Sequence, residues 1–259
     1  MMGDAASRVT ERSQTTDHAC VLLRLIARAG PGGARLKDLC DESNVSKGSV
    51  HRILQSLCAA RLVRQVAGSR RYCLGMGMME LGLAVEPPIR AFPAIRRAIE
   101  GLAHRTNDSA YLMMRSYDDV VCVWGAEGNF PIQATVLSLG GRRPLSASAA
   151  GLALLAGLPV AEAERIVEAN APYLHEYCRM GVNDVRRHVR QARDEGFLYG
   201  ENLVMTDVAA FAMPVPSPEG TPALAISVTT LKFRASDQRK PQVLRELQRT
   251  VDEIRGLLG

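Results

Sequence analysis

Residues 46–75 carry six basic side chains (Lys47, Arg52, Arg61, Arg64, Arg70, Arg71) and no acidic one, and no other stretch constrains the fold as tightly. Within it, Val50, Ile53, Leu54 and Leu57 fall at offsets of 0, 3, 4 and 7, the spacing of one helix face. Ser46 suits the N-cap, and the helix it opens is predicted to reach about Ala60. The opposite face is centred on Gly48, Arg52, Gln55 and Ala59, with His51 and Ser56 beside it and Lys47 in the first turn. Two strand-like runs follow, Val63–Val66 and Arg71–Leu74, around the turn Ala67-Gly68-Ser69-Arg70. Upstream, Asp17–Ala29 reads as a helix that Gly30-Pro31-Gly32-Gly33 breaks, and a short helix at 36–42 precedes the turn at Asn44-Val45.

Three helices and a hairpin in this order make a winged helix-turn-helix, with the third helix shaped to lie in a DNA major groove. Arg52 suits guanine and Gln55 suits adenine. Ser46, Lys47 and Ser49 sit near the helix N-terminus, where backbone N–H groups favour phosphates. His51 and Arg64 complete the candidate face, and Arg70 and Arg71 at the wing tip are placed for an adjacent groove or phosphate. A winged helix that binds protein instead is the alternative, and the basic block argues against it.

The remaining chain is neutral. Of 32 basic and 27 acidic residues, the first 80 positions hold 12 and 7, so the whole excess of +5 lies there. A basic block beside a neutral body implies a polyanion-binding module attached to something else. Hydrophobic residues make up 47%, enough for a full core, which excludes general disorder. The longest apolar stretch, 149–161, is interrupted by Gly151, Gly157 and Pro159 and is shorter than the roughly 20 residues a bilayer requires. No apolar segment marks a secretory leader, and six scattered cysteines without CxxC spacing read as buried thiols. These features predict a cytoplasmic protein without disulfides, metal or membrane partner.

Met76 to Ala84 is apolar and is stopped by Pro87-Pro88, which predicts a linker helix; its methionines pack on either a second subunit or the second domain. The domain reading is a flexible tail 1–16, the winged helix 17–75, a linker 76–88 and a second domain 89–259. In the last, a helix at 89–106 precedes a hairpin of 110–116 and 120–126 and a third strand at Ile132–Ser138. Helices follow near 147–157, 160–170 and 184–195, then strands at 208–215 and 223–231 and a helix at 238–258. An antiparallel sheet flanked by helices is expected, and the chain as a whole is α+β.

The run LKDLCDESNVSKGSVHRILQSLCAARLVRQVAGSRRYCLG resembles the winged-helix domain of the IclR (isocitrate lyase regulator) family of bacterial transcription factors, most closely in VHRIL and RRYCLG. LGGRRPLSASAAGLALLAGLP and DEGFLYGENLVMTDVAAFAMPVPSPEGTPALAISV are similar to that family's GAF-like effector-binding domain. The resemblance covers about residues 17–258. It implies a ligand-responsive regulator that binds a double-stranded, palindromic DNA operator as a homodimer or homotetramer, repressing or activating, with no cofactor. It also implies that a small organic effector lies on the sheet, its acid held by the main-chain N–H groups of Ala149 and Ala150, with Ser227 and Thr229 as a polar pair. Independently of the family, Ser227 and Thr229 share a strand face by their period of two. Ala210, Gly200, Ser146 and Leu152 stand where members often carry cysteine, acid, histidine and lysine. With Leu137, Met205 and Met213 they imply a more apolar pocket and an effector with an apolar or aromatic body.

Other clusters carry less. Arg186, Arg187, Arg190 and Arg193 read as a solvated helix face, with a second nucleic-acid patch as the alternative. His104, His175 and His188 lack ligand-spaced partners, and Trp124 reads as core or pocket wall. A hydrolase using Ser146 or Ser148 with a distant histidine is the enzyme alternative; no GxSxG, Walker, HExxH or GxGxxG motif supports it.

Overall fold

The computed structural model describes residues 13–84, 91–134, 137–217 and 220–258. The chain divides into two compact units, Met1–Val85 and Glu86–Gly259.

The first unit opens with α1 (Gln14–Arg28), so residues 14–16 belong to a helix rather than to a tail; residues 1–12 lie outside the described part. A 3-10 turn over Gly30–Gly32 leads to β1 (Ala34–Arg35), α2 (Leu36–Ser43) and α3 (Lys47–Ala59). β2 (Val63–Gln65), β3 (Arg71–Leu74) and α4 (Met76–Leu83) complete it. Asn44 ends α2 in the left-handed region (φ 54°), and Ser46 caps α3 by accepting from the Ser49 amide at 3.4 Å. Leu22, Ile26, Leu39, Val50, Leu54 and Val63 form the core. The wing has three strands in the order β1-β3-β2, one more than the sequence suggested. The two-residue β1 is too short to show a period, and Gly33 makes its pairing feasible. A Cβ there would lie 2.7 Å from Cys73 Sγ and 2.9 Å from the Tyr72 carbonyl oxygen. The linker helix starts from this unit, where the Gly77 amide donates to Arg61 O at 3.0 Å. Linker positions from 85 onward, and the expected helix start at 89–90, lie outside the described residues.

The second unit contains α5 (Phe92–Thr106), β4 (Ser109–Ser116), β5 (Asp119–Ala126), β6 (Arg142–Pro144), α6 (Ala149–Ala156) and α7 (Val160–Asn170). Then come α8 (Leu174–Tyr177), α9 (Val182–Glu195), β7 (Leu198–Glu201), β8 (Val208–Val215), β9 (Leu224–Leu231) and α10 (Lys240–Leu258). The six strands form one antiparallel sheet in the order β6-β5-β4-β9-β8-β7. Helices α5 and α10 cover one face through Ile99, Leu102, Phe211, Val228, Leu247 and Ile254. Helices α6, α7 and α9 cover the other through Leu152, Leu155, Ile166 and Val185.

The strand expected at Ile132–Ser138 is absent from its described part, 132–134 and 137–138. Local bonds hold this segment as a loop: Gln133 Nε2 donates to the carbonyls of Gly128 and Phe130, and Ser109 Oγ donates to Gln133 Oε1. The edge strand beside β5 is β6 instead.

Candidate functional site

The basic helix of the first unit presents its polar face to solvent. Val50, Ile53, Leu54 and Leu57 are buried, while Lys47, His51, Arg52, Gln55 and Ser56 are exposed. Among the described residues Lys47, Arg52, Arg64 and Arg70 enter no ion pair, so the positive potential of this face is not cancelled locally. Ser46 and Ser49 are joined by a hydroxyl–hydroxyl bond of 3.0 Å at the helix start, below the open N–H groups of the first turn. Arg70 is exposed at the wing turn with φ 51°. Arg71 corrects the sequence reading: it is not at the tip but opens β3, half-buried, and its Nη1 donates to Gly33 O at 2.8 Å. Its guanidinium braces the loop before β1.

In the second unit a partly open pocket of about 550 Å³, space open to solvent included, lies over the sheet face that carries α6. Tyr111, Met113, Ala210, Ser227 and Thr229 form its floor, and Leu137, Arg143, Leu203, Val204 and the start of α6 surround it. Small side chains create the space: Ala210 on β8 pairs with Gly200 on β7 and Thr229 on β9, and Ala149 and Ala150 open the helix above. At Gly200 a Cβ would come within 2.6 Å of the Leu203 side chain, so the glycine lets that leucine fold over the strand.

The start of α6 is held tightly. Ser148 is extended and its hydroxyl accepts from the Gly151 amide at 3.0 Å, which leaves the N–H groups of Ala149 and Ala150 unused by the helix. Ahead of it, the buried Ser146 amide donates to Asn170 Oδ1 at 3.2 Å. A Cβ at Gly151 would sit 2.0 Å from Leu145 O, so the helix rests directly on the preceding turn. At its other end Arg193 donates to Ala156 O (3.0 Å) and Leu158 O (2.9 Å), which places a cation on the negative end of the helix dipole.

Of the residues expected around an effector, Leu137, Ala149, Ala150, Ala210, Ser227 and Thr229 line this pocket together. Ser227 and Thr229 are 5% and 7% exposed, not on a solvated face, and Thr229 Oγ1 donates to Ala134 O at 2.9 Å. Met213 and Met205 are corrections. Met213 pairs with Ile226 and points to the opposite face, among the residues covered by α5 and α10, because the strand alternates. Met205 lies in the turn before β8, 47% exposed and away from the lining. Trp124 is not in this lining either: Arg96 stacks on its ring at 3.6 Å and Phe92 meets it edge-on.

Two parts of the chain match models of one family. Residues 15–67 match the IclR helix-turn-helix domain, and residues 89–255 match the C-terminal part of the bacterial transcriptional regulator IclR. The chain belongs to the IclR family. A curated relative, the "Probable transcriptional regulator SauR" of Cupriavidus necator, is 30% identical over 88% of this chain and 91% of its own length. The fold is that of the IclR family regulator from Brucella abortus (TM-score 0.77, 19% identity, 97% of this chain and 95% of that one). It is also that of an IclR homologue from Microbacterium hydrocarbonoxydans complexed with 4-hydroxybenzoate (TM-score 0.71, 17% identity, 94% and 98%). As an IclR family member this chain is a transcriptional regulator, with a DNA-binding helix-turn-helix and a C-terminal ligand-binding domain.

The IclR frame also sorts the remaining candidates. Ser146 is fully buried, Ser148 Oγ caps α6, and no histidine is among the described residues of the lining. The arginines of α9 are largely spoken for: Arg186 pairs with Glu164 and Glu168, Arg187 with Asp184, and Arg193 caps α6. Among the described residues no cluster of metal ligands forms, and no helix is long and apolar enough to cross a membrane. Sequence reasoning missed Tyr111, Met113, Arg143, Leu203, Val204 and Val208 in the lining. For Tyr111 and Met113 the signal was present, since they alternate along β4.

Proposed function

We propose that this protein controls transcription by holding a palindromic operator through α3 and the wing of two symmetry-related copies. An organic acid with an apolar or aromatic body, seated in the sheet pocket, changes its affinity for that operator. The carrying observation is the uncancelled cationic face of α3 on a chain that also holds an apolar pocket lined by the start of α6. Arg52 and Gln55 read base edges; Ser46, Lys47, Ser49, His51, Arg64 and Arg70 hold phosphates.

A palindrome requires a symmetric oligomer, a homodimer or homotetramer. The apolar side chains of α4 support this: Met76, Met79, Leu81 and Leu83 are each more than half exposed in the single chain. The Microbacterium homologue's 4-hydroxybenzoate supports an aromatic acid as effector class. DNA as the partner places the work in the cytoplasm. The effector acts by favouring one arrangement of the DNA-binding units, and a coupling of about 1–3 kcal/mol changes operator affinity several-fold to about a hundredfold.

The test is fluorescence anisotropy on the DNA upstream of this protein's own gene, against an unrelated fragment, across a salt series. Tighter binding to the upstream fragment that falls steeply with salt is expected. No binding to either fragment at low salt overturns the reading and favours a protein-binding winged helix. Calorimetry then compares benzoate and 4-hydroxybenzoate with glyoxylate; tight binding of glyoxylate alone overturns the effector class.

A further inference from the structure

Each strand of the wing gives one arginine to the outer face of its sheet. Arg35 of β1 is directly opposite Arg71 of β3. Arg64 of β2 is opposite Cys73, two residues on from Arg71 and therefore on the same face. Tyr72 and Leu74, which alternate with them, belong to the core side. The three strands contain no acidic residue. We infer that Arg35 holds a phosphate of the operator backbone where it passes β1 and the start of α2, so that the DNA-binding surface extends beyond α3 and the wing turn. The inference rests on the reading of α3 and the wing as the operator-binding face and adds a contact to it.

Three observations carry it. First, the Arg35 side chain is exposed and enters no hydrogen bond or ion pair among the described residues. Asp38, three residues on, is at the spacing of an ion pair along a helix. Its carboxylate instead lines a cleft with Arg28, Glu42 and Arg71, and Arg35 is not part of that cleft. Secondly, Arg35 stands where stability favours other residues. As the N-cap of α2 it offers no side-chain acceptor to the first-turn amides and sets a cation at the positive end of the helix dipole. It also faces Arg71 across the strands, and like charges directly opposite destabilise a sheet. Arg71 donates to the neutral Gly33 O, which leaves both charges in place. A residue that breaks the capping rule and the pairing rule together is placed for a function, and a phosphate beside it reverses the sign of both effects. Thirdly, α2 is the first helix of the helix-turn-helix, the element that crosses the sugar–phosphate backbone while the second lies in the groove. Arg35 immediately precedes α2, and the same sheet carries the exposed Arg70 in the turn before β3. The partner is therefore the DNA backbone, held without regard to base sequence.

The test is anisotropy of the full chain on the upstream and the unrelated fragments, between about 50 and 200 mM salt, for wild type, Arg35→Ser, Arg35→Lys and Lys37→Ser. Arg35→Ser is expected to weaken both fragments by the same factor, roughly tenfold, and to lower the salt slope by about one for each copy bound. It is also expected to melt roughly 2–8 °C higher, because serine caps α2 and the like-charge pair is gone. Arg35→Lys keeps the charge and is expected to keep most of the slope. Lys37 is equally exposed, but residues two apart do not share a helix face, so Lys37→Ser is expected to change the slope much less. An unchanged slope in Arg35→Ser overturns the inference. So does a loss confined to the upstream fragment, which makes Arg35 a base reader, and so does an equal loss in Lys37→Ser, which is the effect of net charge alone. A lysine variant as weak as the serine one overturns it by showing that charge is not what the DNA reads. A serine variant that melts lower or does not fold overturns it by showing that Arg35 serves the fold. Wild type that binds neither fragment overturns the operator reading itself, a result distinct from wild type and serine variant binding alike.

Discussion

At the scale of single residues, the two arginines of the wing separate folding from recognition. Arg70 is free in the turn, whereas Arg71 is tied to Gly33 O. Replacing Arg71 by alanine is expected to cost about 1.5–3 kcal/mol of stability, the value of a hydrogen bond from a charged group, with the salt slope of DNA binding unchanged. Arg52→Ala is expected to keep the melting temperature and weaken the upstream fragment by about 1–3 kcal/mol relative to unrelated DNA. Thermal melts and anisotropy on the same two preparations check both. Arg52 and Gln55 were legible because the helical period assigns them to the outer face. Arg71 was not, because a turn and the first residue of a strand look alike without their partners. Arg143 was equally hidden: Arg142 and Arg143 are adjacent, and only the strand's alternation sends one to Asp119 and Ser116 and the other to the pocket.

At the scale of elements, α6 matters most to the pocket, because Ala149 and Ala150 at its start line it and both of its ends are pinned. Arg193→Ala removes the donors to Ala156 O and Leu158 O and is expected to destabilise the second unit by about 1–3 kcal/mol, measured by urea unfolding. The same variant is expected to bind benzoate more weakly, since the helix start moves with its end. The small-residue helix, the long strands β4, β8 and β9, and the amphipathic α10 could all be read from composition and period. The short strands β1, β6 and β7 could not: two to four residues give no period, and they exist because a longer neighbour offers an unpaired edge. Ile132–Ser138 misled for the opposite reason. Its β-branched and apolar residues have strand character, but Gln133 holds the backbone in a loop.

At the scale of the whole molecule, every residue lining the pocket belongs to the unit Glu86–Gly259. That unit expressed alone is expected to bind benzoate within about a hundredfold of the full chain when no DNA is present, because the lining lies within it and the only difference is the coupling of about 1–3 kcal/mol to the arrangement of the DNA-binding units. The same unit has a built-in response to mild acid. His188 on α9 is half-buried, its Nδ1 has no hydrogen-bond partner among the described residues, and burial, then Arg187, pushes its pKa below 6.5. The unfolded chain therefore takes up a proton below about pH 6.5 that the folded chain refuses, so stability present above 6.5 falls as pH drops through and below that value. Asp118, Glu164, Asp184 and Glu201 are held below their ordinary carboxylate values, so their losses begin only in stronger acid. Urea midpoints at pH 7.5 and 5.5 are expected to differ in wild type and to converge in His188→Gln. The confinement of the pocket to one unit has a further consequence. Mutations that retune the chemical signal and mutations that retune the DNA address fall in separate stretches of the gene. A single recombination near codon 85 can hand an old sensor a new set of promoters.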